Sequence, residues 1–294
     1  MGIRIGVSLG AGGAATEFAA AVDLLEKSGI DSLWLPETVY GPAVDPFTGM
    51  AFTVGRTSHL KVGTGISVLP GRHPVLVAKQ LTSLAGLAPG RILPAFGLQP
   101  ATPGERQLFP APPGERGAVF DEALTLLRLM LTQPSVTFHG RYFSVEDASA
   151  GPLPAKPLDL WLGGSAPAGL ARIGRLADGW LGSFITPAEA GRAVAAINTA
   201  ADQAGRQVEQ DHFGLSLSIA FGGIPDSLAA GIRRRRPDLD PAVLVADGWA
   251  GARSRITALA DAGLSKFVVR PATPGMPLEE FIAGFNAELA PLQT

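Results

Sequence analysis

Two glycines and a serine, Gly163, Gly164 and Ser165, stand between the apolar run Leu158–Leu162 and a helical pattern that opens at Pro167. Glycines let a ligand approach the backbone closely, and a following helix turns free N–H groups and the positive end of its dipole toward it, so a phosphate fits there. The plainer reading is a tight turn with Ser165 capping the helix, and the triplet alone leaves both readings open. Other clusters close apolar runs in the same way: Glu37 and Thr38; Gly65, Ile66 and Ser67; Gly97, Leu98 and Gln99. Arg72 and Arg270 are the cations of interest. Arg270 follows the last apolar run, where it can face a phosphate or an acidic substrate, or else close a salt bridge on the rim.

The elements that must position these residues alternate. Ile3–Leu9 reads as a strand, Phe18, Val22 and Leu25 recur at helical spacing, and Gly29 stops that helix before a second run, Ser32–Leu35. Further strands are expected at Lys61–Ser67, Ile92–Phe96, Leu158–Leu162, Gly179–Leu181, Phe213–Phe221 and Phe267–Val269. Helices are expected at Pro46–Thr57, Pro74–Leu87, around Phe120 to Leu131, and at Pro167–Ala177, Ala250–Ala262 and Leu278–Leu289. Thr186, Pro187 and Glu189 form a capping box that opens one more helix. Val136–Val145 reads as a hairpin turning at His139 and Gly140, inserted between strands four and five. Eight strands and eight helices predict an α/β fold, a (β/α)8 TIM barrel forming a single domain over residues 1–294. The Pro-rich stretch Gly151–Pro157 is not read as a linker, because alternation resumes directly after it. In such a barrel the strand interiors are packed, so a site must be built from loops at the strands' C-terminal ends, where the clusters above lie.

Composition narrows the function. A net charge of −2 supplies no field for nucleic acid or an anionic membrane, and the basic run Arg233–Arg236 meets Pro237, Asp238 and Asp240 at once, reading as a solvated helix end or loop. With no cysteine there is no disulfide framework and no thiolate chemistry. No His/Asp/Glu cluster has metal-ligand spacing, so no metal is expected, and neither a G-x-S-x-G nor a P-loop is present. His73 stands at a helix start, His59 and His139 read as exposed, and His212 opens strand seven away from the site. No apolar segment approaches the ~20 residues of a membrane span, and the first strand carries Arg4 with no secretory core, so a cytoplasmic location is expected.

The order of several short motifs resembles the luciferase-like monooxygenases. GTGI at Gly63–Ile66, RHP at Arg72–Pro74, GR at Gly90 and Arg91, HGRYF at His139–Phe143, PLPAKPLDLWLGG at Pro152–Gly164 and ADGW at Ala177–Trp180 all fit, over essentially the whole chain. The match is nearest in character to actinobacterial members grouped as probable coenzyme F420-dependent oxidoreductases. The resemblance implies that Gly65, Ile66 and Ser67 form a bulge, in many members with a non-prolyl cis peptide, behind the central ring of a flavin. It also implies an acidic residue, Glu37, near the cofactor's pyrimidine side or the substrate, and cofactor contacts from Gly97, Gln99, Gly163, Gly164 and Ser165. Two positions depart from the family pattern. Thr38 stands where many relatives have histidine, and Gln99 follows strand four where F420-using dehydrogenases can carry glutamate. Neither can exchange a proton near neutral pH, which argues against the sugar-phosphate dehydrogenase subtype.

The resulting expectation is an enzyme passing a hydride between F420, preferred, or FMN and a small organic substrate, with family members commonly acting as homodimers through their early helices. Three rivals remain: an O2-using flavin monooxygenase, a non-catalytic flavin or F420 carrier, and an aldolase or isomerase on the same barrel. The last normally needs a lysine or paired carboxylates at the mouth, and Lys61, Lys79, Lys156 and Lys266 all fall at strand starts, in helices or in loops.

Overall fold

The computed structural model describes residues 2–9 and 13–294. In chain order its strands are β1 (Arg4–Val7), β2 (Ser32–Leu35), β3 (Lys61–Thr64), β4 (Ser67–Val68), β5 (Ile92–Leu93), β6 (Ala95–Gly97), β7 (Val136–His139), β8 (Ser144–Ala148), β9 (Trp161–Gly163), β10 (Gly179–Ser183), β11 (Phe213–Ala220), β12 (Ala246–Asp247) and β13 (Lys266–Pro271). The helices are α1 (Ala15–Lys27), α2 (Pro46–Arg56), α3 (Pro74–Leu87), α4 (Arg116–Thr132), α5 (Pro167–Leu176), α6 (Pro187–Gln203), α7 (Asp226–Arg235), α8 (Gly248–Asp261) and α9 (Leu278–Glu288).

Parallel pairing runs β13–β1–β2–β3–β5 on one side and β4–β6–β9–β10–β11–β13 on the other. The two ends are the same staves. β3 and β4 are halves of one strand parted at Gly65 and Ile66, whose peptide bond is cis, and β5 and β6 are halves of the next, parted at Pro94. Val62 pairs with Ile92 below the break and Ser67 with Phe96 above it, so eight staves close into a barrel. The expected strands Lys61–Ser67 and Ile92–Phe96 are therefore each interrupted; proline has no N–H to give to the ladder at the second break.

Two apolar layers hold the barrel. Trp34, Ala95, Trp161, Leu181 and Val268 meet inside it with Ile66 and Leu93, while a much larger cluster lies between staves and helices. Within that larger cluster α4 buries Phe120, Ala123, Leu124, Leu127 and Leu131, the stripe expected from their spacing. β7 and β8 form a separate antiparallel pair outside the ring, with Phe138 opposite Val145. Glu122 of α4 ties down its turn by accepting from the backbone N–H groups of Arg141, Tyr142 and Phe143 at 2.9, 2.8 and 2.8 Å. One helix and one short strand went unforeseen, α7 and β12, both between β11 and α8. α7 carries few apolar residues and buries only Ala229 and Ile232, which leaves little periodicity to read.

Candidate active site

Side chains alternate between the two faces of each stave, so the inner cluster fixes which residues line the mouth one layer higher. Ala95, Trp161, Leu181 and Val268 point inward; Gly97, Gly163, Ser183 and Arg270, two residues on, share that face. Ser218 joins them as the register partner of Arg270. The floor of the mouth is thus made of glycine and serine with one charged side chain.

Ile66 occupies the centre of that floor. A Cβ built on Gly97 would meet Ile66 Cδ1 at 2.4 Å, and one built on Gly163 would meet it at 2.5 Å. Both positions are glycine because the Ile66 side chain fills the space a larger residue would claim. The break between β3 and β4 is what turns Ile66 inward, and Gly65 lies against Trp34, 3.2 Å from where its Cβ would stand. The result is an apolar shelf, the Ile66 side chain, flanked by bare backbone.

Glu37 follows β2 and is buried, its side chain 3% exposed. One oxygen accepts from the Val68 backbone N–H at 2.7 Å and from Arg72 Nη1 at 2.9 Å, and the other accepts from Arg72 Nη2 at 2.6 Å. Arg72 lies in turn over the Phe109 ring, 5.0 Å from its centroid. The carboxylate is therefore committed on every side to holding the upper half of the third stave.

Among the described residues five buried side-chain polar atoms have no hydrogen-bond partner, and three of them, Thr38 Oγ1, Ser67 Oγ and Glu105 Oε2, lie on segments beside Glu37; the others are Arg116 Nη1 and Arg255 Nε. The three come from the loop after β2, from β4 and from the loop after β6. Glu105 is only 2% exposed, and its other oxygen accepts from the Tyr40 N–H at 2.9 Å, which joins the first and third of these segments. Buried polar atoms are rarely left bare in folded proteins. Three such atoms on adjacent mouth segments mark where a polar ligand or ordered water belongs. Gln99 is exposed, near them in sequence but committed to no bond.

Gly163 ends β9, and Gly164 follows with φ at +115°, a conformation open mainly to glycine, with nothing within 4 Å of where a Cβ would stand. Trp180 Nε1 donates to the Gly164 carbonyl at 2.7 Å, fixing the turn. Ser165 is exposed and does not cap α5, whose N-cap is Ala166 with no side-chain hydrogen bond. That removes the capping role from the plainer reading and leaves the first-turn N–H groups of α5 without a side-chain acceptor. Ser165 instead opens a groove of about 510 Å³ between α5 and α6, lined by Leu170, Ile185, Ala193 and Arg192 among others.

Arg270 donates from Nε to Ser218 Oγ at 2.9 Å. It belongs to the last turn of β13, which is longer than expected, and no salt bridge joins it to a carboxylate among the described residues. The histidines stay outside the mouth. His73 caps α3 through a 3.3 Å bond from the Val75 N–H, His212 packs on Trp161 below the barrel, and His59 and His139 are exposed. Among the described residues no group of three His, Cys, Asp or Glu side chains is placed to hold a metal ion.

The profile of the luciferase-like monooxygenases matches residues 1–270. The chain belongs to that family. An uncharacterized protein of Mycobacterium tuberculosis is 32% identical over 165 residues, 56% of this chain and 57% of that one. An F420-dependent glucose-6-phosphate dehydrogenase of Nakamurella multipartita is 29% identical over 226 residues, 70% of this chain and 64% of the relative. The chain thus matches between half and two thirds of these relatives' own length. Among solved structures, an F420-dependent secondary alcohol dehydrogenase in complex with an F420–acetone adduct superposes with a TM-score of 0.82 at 18% identity, covering 100% of both chains. That likeness establishes the fold as the barrel of this family.

Two mouth residues of this luciferase-like chain escaped the sequence reading. Glu105 lies eight residues beyond Gly97 in a loop of 3-10 turns, with no periodicity to announce its burial. Arg235 ends α7 and is exposed, as read for the basic run, but it also bonds the Ala101 carbonyl at 3.1 Å and lies 5.1 Å over the Phe184 ring, a role the run itself does not announce. Neither carried a usable signal, because both are brought in by loops meeting over the mouth.

Proposed function

We propose that this chain is an oxidoreductase that exchanges a hydride between a deazaflavin, F420, or FMN and a small organic substrate. The observation that carries the reading is the Ile66 side chain seated between the bare backbone of Gly97 and Gly163, with unpartnered polar atoms on neighbouring mouth segments. A planar tricycle fits such a shelf, and the chemistry it supplies when bound is hydride acceptance or donation at its central ring. Gly65 and Ile66 support the ring from behind. Ser67 Oγ and Gln99 meet polar atoms at its edge, and Gly163, Gly164, Ser165 and the first turn of α5 receive the phosphate through backbone N–H groups. F420 leads because the Nakamurella relative and the superposed dehydrogenase are F420-dependent, and because the groove that opens at Ser165 offers room beyond the phosphate for a longer tail.

Glu37 acts by positioning: saturated by Arg72 and Val68, it holds the shelf rather than moving a proton. Glu105 is the carboxylate of these loops with an oxygen to spare, and we assign it the proton that Thr38 and Gln99 cannot handle. The carrier reading draws on those same two residues. Substrate turnover separates the two.

The enzyme is one barrel domain over residues 1–294, cytoplasmic and paired as a homodimer through α2 and α3. Phe52, Leu76 and Leu87 there are 41%, 67% and 75% exposed, an apolar face that suits a second copy. No described helix is long and apolar enough to cross a membrane. Titrating F420 and FMN separately into the purified protein, with cofactor absorbance and fluorescence as readout, tests the central reading. Saturable F420 binding is expected, followed by oxidation or reduction of F420 with a suitable substrate; binding of neither cofactor overturns it.

A further inference from the structure

Arg270 differs from the arginines of this fold that are paired with carboxylates. Arg72 is neutralised by Glu37, Arg172 by Asp121, Arg206 by Asp178 and Arg236 by Glu189 and Asp238. Arg270 has one bond, to the Ser218 hydroxyl, and both terminal nitrogens of its guanidinium are without a hydrogen bond among the described residues. The alternation of β13 aims it inward, two residues above Val268 of the inner cluster, so those nitrogens face the mouth. Burial holds the Arg270 guanidinium below its ordinary value, and the positive charge of Arg235 adds to that. An arginine stays charged regardless, so the partly buried Arg270 guanidinium lies in the field of the exposed Arg235, and neither is paired with a carboxylate among the described residues.

Arg235 is also without a carboxylate among the described residues. It reaches from α7 over Phe184 to the Ala101 carbonyl, joining the segments that follow β6, β10 and β11 above the mouth. The two guanidinium groups come from different elements, β13 and α7, and the charge of Arg235 is felt at Arg270. The glycine turn proposed for the cofactor phosphate lies after β9, three staves from β13.

We propose that Arg270 and Arg235, with the Ser218 hydroxyl, form an oxyanion subsite for the substrate, whose recognised class is therefore a small organic acid or phosphate ester. This rests on the hydride-transfer reading only for the identity of the bound anion as substrate. The subsite itself stands on the uncompensated pair. A planar guanidinium with two free nitrogens offers a bidentate match to a carboxylate or phosphate, and Arg235 closes on it from the rim.

The test uses the whole protein without cofactor and reads melting temperature against inorganic phosphate, sulfate and acetate, with chloride at matched ionic strength as the screening control. Wild type is expected to be stabilised saturably by phosphate or sulfate above the chloride control. Arg270→Gln is expected to shift the phosphate midpoint at least tenfold, Arg235→Gln severalfold, and Arg270→Lys to retain part of the response. The apo melting temperature of Arg270→Gln should be no lower than that of wild type, since the replacement removes an unpaired charge. F420 affinity, measured in parallel, should be unchanged in Arg270→Gln. A tenfold loss of F420 affinity in that variant would assign the pair to the cofactor phosphate and overturn the substrate subsite, and so would a wild type that answers phosphate no more than chloride. Wild type that binds phosphate through Arg270 but neither F420 nor FMN would uphold the oxyanion subsite while sinking the hydride-transfer reading, so the two fail separately.

Discussion

The two ends of the barrel treat charge in opposite ways. Beneath it, at the strands' N-terminal ends, Asp31 bridges Lys61 at 2.9 Å and Lys266 at 2.8 Å, and Asp178 bridges Arg128 at 2.8 Å and Arg206 at 3.0 Å while accepting the Leu160 N–H. At the mouth Glu37 and Arg72 are paired, but among the described residues Thr38, Ser67 and Glu105 each leave a buried atom bare and Arg270 meets no anion. The closed end is satisfied within the chain, so its polar groups serve stability. The mouth leaves polar atoms without partners among the described residues, where a polar ligand or ordered water belongs. This division of labour is general for parallel barrels, and here it can be broken or sharpened residue by residue.

The largest effect is expected at the closed end. Asp31→Asn leaves Lys266, whose side chain is 11% exposed, as a buried charge facing an amide, a loss of about 3 kcal/mol or more. Burial alone would raise the Asp31 carboxyl, but the charges and hydrogen bonds of Lys266 and Lys61 outweigh it and hold it well below the usual 3.8. A lowered carboxylate contributes stability that is complete above its unfolded value and is lost as pH falls through the folded one. Denaturant unfolding should therefore show a large gap between wild type and Asp31→Asn at pH 7 that narrows only in acid, below pH ~4. Equal stability at pH 7 would mean that the closed end is no better satisfied than the mouth.

Next comes Glu105. Glutamine keeps an oxygen to accept the Tyr40 N–H, so Glu105→Gln should fold with a melting temperature close to wild type. If its second oxygen handles a proton, kcat should fall about 100-fold or more and one limb of the pH–rate profile should disappear. An unchanged profile would return Glu105 to a loop-tethering role. Glu37→Gln should behave differently, because an amide must set an N–H donor against Arg72 or Val68. A loss of about 2 kcal/mol is expected, with weaker cofactor binding and an unaltered pH limb. A vanished limb in Glu37→Gln with intact stability would give Glu37 a catalytic role beside the cofactor or substrate, the neighbourhood that the family resemblance implies for this position.

How much of this was legible in the sequence depends on whether the signal was local. α3 begins at Pro74 and ends at Leu87 where the pattern put it, and the capping box of Thr186 and Glu189 forms as expected, because both are written in adjacent residues. The strand ends carrying Gly97 and Gly163 were visible as well, though not the reason for the glycines, which is the side chain of Ile66 on another stave. Glu37 looked free in the sequence because its partner Arg72 is 35 residues away. Glu105 and Arg235 are mouth residues only because loops from separate units fold over one another, and hydrophobic periodicity says nothing about such loops.

The smallest expected effect is the sharpest test, because it compares two hydroxyls on one stave. Thr64 ends β3 and is bonded both ways across to the next stave: its hydroxyl donates to the Ala95 carbonyl at 2.5 Å and accepts from the Ala95 N–H at 2.8 Å. Ser67, just past the break, is equally buried and its Oγ meets no partner. Thr64→Val removes a satisfied hydroxyl and strands both Ala95 groups, so it should cost about 1 to 3 kcal/mol. Ser67→Ala removes a hydroxyl that was desolvated for nothing within the chain, so the protein without cofactor should melt at or slightly above the wild-type temperature. With F420 added the order should reverse: wild type should gain more than Ser67→Ala, by roughly the ~1 kcal/mol of one hydrogen bond. Thermal unfolding of the three proteins with and without F420 reads all of this in one experiment. If Ser67→Ala is destabilised without cofactor as much as Thr64→Val, then an ordered water completes Ser67, and the mouth at that point is as satisfied as the stave below it.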